Sequence, residues 1–169
     1  TNTSPDERPS GLINLIAISY YSKKNPSKED YRTALSLFEN AYLKEKNTVH
    51  GLNAIKNLVV LGISTSKVFD EYVEFLIRAK DYYLEALINF EDDKDFLQTG
   101  IVLFTYFLDK KNLNGIIRKI IDSSIESKDL RGQSTFLMNY YNEWSQKDIF
   151  NISKQNIKYY SKLDTAKID

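Results

Sequence analysis

Residues 29–47, EDYRTALSLFENAYLKEKN, place Tyr31, Ala34, Phe38 and Ala41 three or four positions apart. Residues so spaced share one face of a helix, so Ala34 and Ala41 leave shallow sites for a neighbouring helix while Phe38 fills the space between them. Leu35 and Tyr42 widen the stripe, whereas Arg32, Ser36, Glu39, Asn40 and Lys44 fall mostly elsewhere. The stretch therefore predicts an amphipathic helix that packs closely on other helices, and with it an all-α body.

Outward from this helix the punctuation agrees. Upstream, Asn25-Pro26 interrupts the chain, because the residue before proline is steered away from helix, and Ser27 with Asp30 three positions later predicts an N-cap. The helix is expected to run to about Lys46. Before the loop, Leu12 to Ser22 predicts a first helix, largely buried, with Leu12, Leu15, Ile16 and Ser19 on one side and Ile13, Ala17, Tyr20 and Tyr21 widening the apolar face. After it, Thr48 is a plausible cap for a third helix from Val49, with Gly62 marking its end. Residues 67–92 fit either one long helix or two broken near Lys80-Asp81.

FLQTGIVLFTYFL, residues 96–108, is apolar nearly all round and predicts an internal helix. In Asn112 to Ser127, Leu113, Ile116, Ile117, Ile120, Ile121 and Ser124 repeat with the 3.6-residue period. Leu130 to Gln146 predicts another helix through Phe136, Leu137, Tyr140, Tyr141 and Trp144. These segments predict a polar linker or processed terminus at 1–11, a helical domain at 12–147, and a weaker helix with a polar tail at 148–169. All three prolines, Pro5, Pro9 and Pro26, precede Ser27, which leaves the rest free of the strongest helix breaker.

The chain has 169 residues, enough for one domain that buries about 70% of its unfolded surface. Lys plus Arg and Asp plus Glu each total 23, so there is no general attraction to nucleic acid or to an anionic membrane, and no direct nucleic-acid partner is expected. Without cysteine there is no disulfide framework and no thiolate metal site. The longest apolar run, Gly100 to Leu108, is too short to cross a bilayer. A soluble chain follows, with the cytoplasm favoured over secretion or a lipid anchor.

A shift of 65 places sets Asp30 on Asp95, Tyr31 on Phe96, Leu37 on Val102, Tyr42 on Phe107, Leu43 on Leu108, Lys46 on Lys111 and Asn47 on Asn112. That spacing is close to two units of the roughly 34-residue helix-turn-helix repeat. Tyr31, Ala34, Phe38 and Ala41 resemble the small and aromatic positions of the second helix of a tetratricopeptide repeat, and Ala17 and Tyr20 look like the pair in its first helix. The Asn25-Pro26 loop is longer than the usual turn of that family and more like its Sel1-type relatives. The resemblance implies stacked antiparallel helical hairpins, a TPR-like αα-superhelix with a concave groove.

LNAIKNLVVLG, DYYLEALINFEDDKDFLQTGIVLFTYFLDKKN and IIRKIIDSSIESKDLRGQSTFLMNYYNEW resemble the regulatory domain of Rgg, PlcR and PrgX-type bacterial peptide sensors. That resemblance implies binding of a short signalling peptide, dimerisation as a homodimer, and an upstream DNA-binding domain. The first alternative is a constitutive interaction scaffold of the TPR or Sel1 type, including a bacterial lipoprotein; the second, less favoured, is an enzyme whose chemistry is too degenerate to recognise.

Within either binding reading, Asn53 and Asn57, one turn apart in an otherwise apolar helix, can bind a peptide backbone, since an amide offers both donor and acceptor; they also fit an ordinary surface. Gln98 and Tyr106 interrupt the internal helix, where buried structural hydrogen bonds compete with ligand contacts. Asn139 and Tyr140 precede Trp144 and could continue the same surface. Arg78 and Arg131 are candidate partners for a peptide carboxylate, against solvated arginine as the plainer reading.

The 12 Tyr and 9 Phe fall at helical spacing without an interleaved basic patch, which points to core packing rather than base stacking. Glu91, Asp92, Asp93 and Asp95 lack the glycine and terminal glutamate of a calcium loop and predict a solvated turn. His50 is the only histidine and lies at a helix start; no nucleophile elbow, phosphate-cradling loop or metal spacing accompanies it. A non-enzyme without cofactor or metal, recognising a peptide or protein segment, is the expectation.

Overall fold

The computed structural model describes residues 8–126. A first compact unit ends at Ile120; a second begins at Ile121, and of it only the backbone to Glu126 is described. Among the described residues there are six α-helices and no strand: α1 Ser10–Tyr21, α2 Lys28–Lys44, α3 Val49–Ser66, α4 Val73–Leu87, α5 Lys94–Tyr106 and α6 Lys110–Glu126. The expected all-α class holds, and no described helix is long and apolar enough to cross a membrane.

Local chemistry sets the boundaries. Ser27 caps α2 in a reciprocal capping box, its hydroxyl accepting from Asp30 N at 3.1 Å while Asp30 Oδ2 accepts from Ser27 N at 2.8 Å. Thr48 caps α3 by accepting from Gly51 N at 3.2 Å. Asp93, expected in a solvated turn, caps α5 by accepting from Phe96 N at 2.8 Å. Residues 67–92 contain one α-helix, α4, unbroken at Lys80-Asp81 and entered through a 3-10 turn at Asp70–Tyr72.

α2 forms the middle of the first core. Ala34, Leu35, Phe38, Ala41 and Tyr42 are wholly buried, as the opening stripe predicts. α2 packs on α1 and α3, α3 also packs on α1, α4 and α5, and α4 meets α5. Polar bonds lace α2 to α4 along their length. Glu39 accepts from Arg78 at 2.6 and 3.0 Å and from the Tyr82 hydroxyl at 2.9 Å; the Tyr42 hydroxyl donates to Tyr82 O at 3.0 Å, and Lys46 pairs with Glu85 at 2.9 Å.

Three expectations are corrected. Gly62 does not end α3; the helix continues to Ser66 because Gly62 admits a neighbour, with an added Cβ lying 2.7 Å from Leu76 Cδ2. α1 is not buried on the Leu12–Leu15 side: Ile13, Asn14 and Ala17 face inward, while Leu12 and Leu15 are 45% and 65% exposed. α5 is not internal all round, since Gln98 and Val102 are exposed on the face opposite Phe96, Gly100 and Phe104. In α1 and α5 two apolar faces were available, and only the tertiary arrangement chooses between them.

The α5–α6 turn carries one strained residue. Leu108 has φ 53°, with Asp109 N donating to Phe104 O at 2.9 Å and Leu108 N to Thr105 O at 3.0 Å, the Schellman arrangement that favours glycine. Its side chain is 82% exposed, so little packing opposes a change. Leu108→Gly is expected to stabilise the chain by about 0.5–1 kcal/mol, and Leu108→Ala to change little, because left-handed backbone costs any Cβ-bearing residue. Chemical denaturation of the two variants checks this; equal midpoints would contradict it.

Asp109 ties the same turn down. It accepts from Asn112 N at 3.2 Å and Asn112 Nδ2 at 2.9 Å and pairs with Lys80 of α4 at 2.6 Å. The Lys80 ammonium, then the Asn112 amides, hold its carboxyl down at about 2 against a partial cost of burial. A carboxyl depressed on folding contributes stability that is full above its unfolded value near 4 and is lost as pH falls through 2. The contribution at pH 7 is about 1–2 kcal/mol after allowance for partial exposure. Asp109→Asn is therefore expected to lower Tm at pH 7 by a few degrees, with the gap to the parent closing as pH falls through 2; parallel Tm curves would contradict the assignment.

Candidate functional site

α3 is enclosed by α1, α2, α4 and α5, and one stripe of it remains open: Asn53, Lys56, Asn57, Val60, Ser64 and Lys67, spaced by three or four residues. The α2–α4 side is laced shut, whereas a groove lies between α1 and α3. One part of this groove, about 550 Å³, is lined by Gly11, Asn14, Leu15 and Ile18 of α1 and by His50, Asn53, Lys56 and Asn57 of α3. A second part, about 440 Å³, is lined by Tyr21, Tyr31, Asn57, Val60, Leu61, Ser64, Thr65, Val68 and Phe69. Asn57 belongs to both.

α1 approaches α3 closely at this end, where a Cβ added to Gly11 would lie 3.0 Å from His50 Cε1. Asn14 fixes the register of the two helices by donating from Nδ2 to His50 O at 2.8 Å. Asn14 is 7% exposed, and its Oδ1 has no hydrogen-bond partner. A buried acceptor left without a donor costs about 1–3 kcal/mol, so this carbonyl is a standing demand for an N–H group beside the groove. Asn53 is exposed and Asn57 half-buried, and neither amide has a partner among the described residues.

The groove holds Lys56 and His50 as its ionisable groups. Lys56 lies 3.8 Å from Asp95 of α5, an exposed carboxylate. His50 is exposed, with its backbone carbonyl, not its ring, held by Asn14. Among the described residues no group of three or more His, Cys, Asp or Glu could hold a metal ion.

Of the residues singled out in the sequence, the structure brings Asn53 and Asn57 together in the groove. Arg78 lies on the laced side, its guanidinium held in a two-pronged bond by Glu39. Gln98 is on the exposed face of α5, and Tyr106 is half-buried near the α5–α6 turn, its ring 5.2 Å from Phe107. Arg131, Asn139 and Tyr140 lie outside the described residues. Asn14, Tyr21 and Phe69 were missed. For Asn14 a signal existed: it is the one amide in SGLINLIAISYY, a helix without charge, where a polar group needs a reason.

No family model, no curated protein and no solved structure matches the chain.

Proposed function

We propose that this chain is a non-catalytic helical-repeat binding domain, built of stacked antiparallel hairpins, that holds a peptide or protein segment in the groove between α1 and α3. The observation that carries the proposal is the pair of unpartnered amides, Asn53 and Asn57, lining an open groove that carries Leu15 and Ile18 in one part and Tyr21, Tyr31 and Phe69 in the other. An extended segment presents alternating N–H and C=O groups, and amide side chains can satisfy both. The packing of α1, α3 and α5 along one side and the α2–α4 lacing along the other supports the hairpin-stack reading. In this proposal the domain is the ligand-sensing part of a peptide-responsive regulator, and occupancy of the groove is coupled to assembly or to an attached output domain.

A constitutive scaffold is the second reading. It is favoured by the exposed Leu12 and Leu15 on α1, an apolar stripe suited to another protein surface.

Selection from a displayed random peptide library on the full chain tests the groove. Enriched peptides are expected to lose about tenfold in affinity for the Asn53→Ala/Asn57→Ala double variant, the size of one or two net hydrogen bonds, with Tm unchanged. Failure to enrich any peptide, or equal affinity for the double variant, would contradict the proposal.

A further inference from the structure

We infer that the 440 Å³ cavity bounded by Tyr21, Tyr31 and Phe69 is an anchor pocket for an aromatic side chain of the segment bound in the α1–α3 groove. The inference rests on the groove reading and names the chemistry of what the groove selects. The lining contains no carboxylate, ammonium, guanidinium or imidazole. A charged side chain entering it would give up hydration and meet no opposite charge, so the pocket discriminates against Asp, Glu, Lys and Arg.

Two of its hydroxyl groups are turned to the backbone of α3. Ser64 Oγ donates to Val60 O at 2.9 Å and Thr65 Oγ1 to Leu61 O at 2.8 Å, so both are satisfied within α3. Besides the Asn57 amide, the rest of the lining is Val60, Leu61, Val68 and the rings of Tyr21, Tyr31 and Phe69. Rings come from three separate places, the end of α1, the start of α2 and the turn after α3, and each is held by a further ring. Phe38 lies 6.1 Å from Tyr21, Phe69 lies 6.4 Å from Tyr31, and Tyr72 meets Phe69 edge-on at 5.4 Å.

Tyr72 is itself pinned, its hydroxyl donating to Lys28 O at 2.7 Å. The walls are thus largely preformed, which lowers the ordering cost of binding. An aromatic guest adds offset or edge-to-face ring contacts that an aliphatic one cannot make. Asn57 lines both parts of the groove, so a backbone bonded there delivers one side chain directly into the ring-lined part.

The test uses five-residue capped peptide pools with the central position fixed as Trp, Phe, Leu, Asp or Lys and the other four random, measured for retention on the full chain. The Trp and Phe pools are expected to be retained at least tenfold above the Leu, Asp and Lys pools. Val60→Asp, at a position 57% exposed and so tolerant of the change, should erase that preference; Ile77→Asp on α4, at a position 54% exposed, should not. Free indole should compete only at concentrations at least tenfold higher than the Trp pool.

Equal retention of all pools would overturn the anchor pocket while leaving the groove standing. Indole competing as strongly as the Trp pool would overturn it in favour of a small free aromatic ligand. Retention of no pool would overturn the groove and the pocket together.

Discussion

Gly51→Ala is expected to destabilise the chain by about 3 kcal/mol, lowering Tm by roughly 6–12 °C for a domain of this size. Gly51 lies in the first turn of α3, directly against the turn that leaves α2. An added Cβ would lie 2.0 Å from Glu45 O, 2.9 Å from Glu45 C and 3.2 Å from Lys46 O. These are backbone atoms, which cannot rotate away as a side chain would, so the α2–α3 connection must shift. The shift reaches further, because Glu45 accepts from Ser10 N at 3.3 Å and from the Thr48 hydroxyl at 3.3 Å, joining the start of α1 to the cap of α3.

The competing effect has the opposite sign. Alanine is the better helix former by about 1 kcal/mol, so a chain without this close approach would gain stability. Thermal unfolding distinguishes the two directly: a Tm at or above the parent's would contradict the packing of α2 onto α3 described above. Because α3 carries Asn53 and Asn57, the same variant is expected to bind groove peptides poorly even below its Tm.

Gly100→Ala is expected to cost about 2–4 kcal/mol for a different reason. Here the obstacle is the Tyr83 side chain, with an added Cβ 2.3 Å from its hydroxyl oxygen, 2.5 Å from Cζ and 2.9 Å from Cε1. A side chain can often yield, but this one is fully buried. Its ring is stacked on Phe96 at 4.2 Å and 19°, and it meets Phe104 edge-on at 5.5 Å. Its hydroxyl donates to Phe96 O at 2.9 Å, which holds the ring in place.

Combining Gly100→Ala with Tyr83→Leu, which removes the hydroxyl and the ring, tests the cause. The double variant is expected to be more stable than the sum of the single effects predicts by at least 1 kcal/mol, since the clash is then absent. Strict additivity would mean that Gly100 is needed for something other than the approach of Tyr83.

These two glycines show where sequence stops being sufficient. The helix of Tyr31, Ala34, Phe38 and Ala41 was legible because its period, its capping residues and its flanking Asn25-Pro26 agree, and those are local signals. Gly51 and Gly100 take their meaning from atoms in other elements, Glu45 O and the Tyr83 ring, and nothing local marks them. Gly62 misled for the same reason, since a glycine that admits Leu76 looks in sequence like one that ends a helix. The same limit hid the open side of α1, where Leu12–Leu15 and Ile13–Ala17 are equally apolar stripes.

The 65-residue echo also takes a different meaning. It joins α2 to α5, three helices apart, and three is not a whole number of helical pairs. The packed positions are not the matched ones: Ala34, Phe38 and Ala41 fall on Thr99, Leu103 and Tyr106, and Gly100 falls on Leu35, while the matched Leu43 and Leu108 are 46% and 82% exposed. As for the site, Asn53 and Asn57 were legible as amides one turn apart on an apolar helix. The aromatic part of the groove was not, because Tyr21, Tyr31 and Phe69 come from three elements whose meeting no spacing records.

The most direct test of the central claim, that the α1–α3 groove holds the ligand, is a photo-crosslinking amino acid placed at Val60 and, in a parallel chain, at Ile77. Both positions are more than half exposed, 57% and 54%, and differ in that Val60 lines the groove while Ile77 lies on α4 away from it. With a library-selected peptide present, crosslinking at Val60 with none above background at Ile77 is the predicted result. Crosslinking at Ile77 with none at Val60 would contradict it.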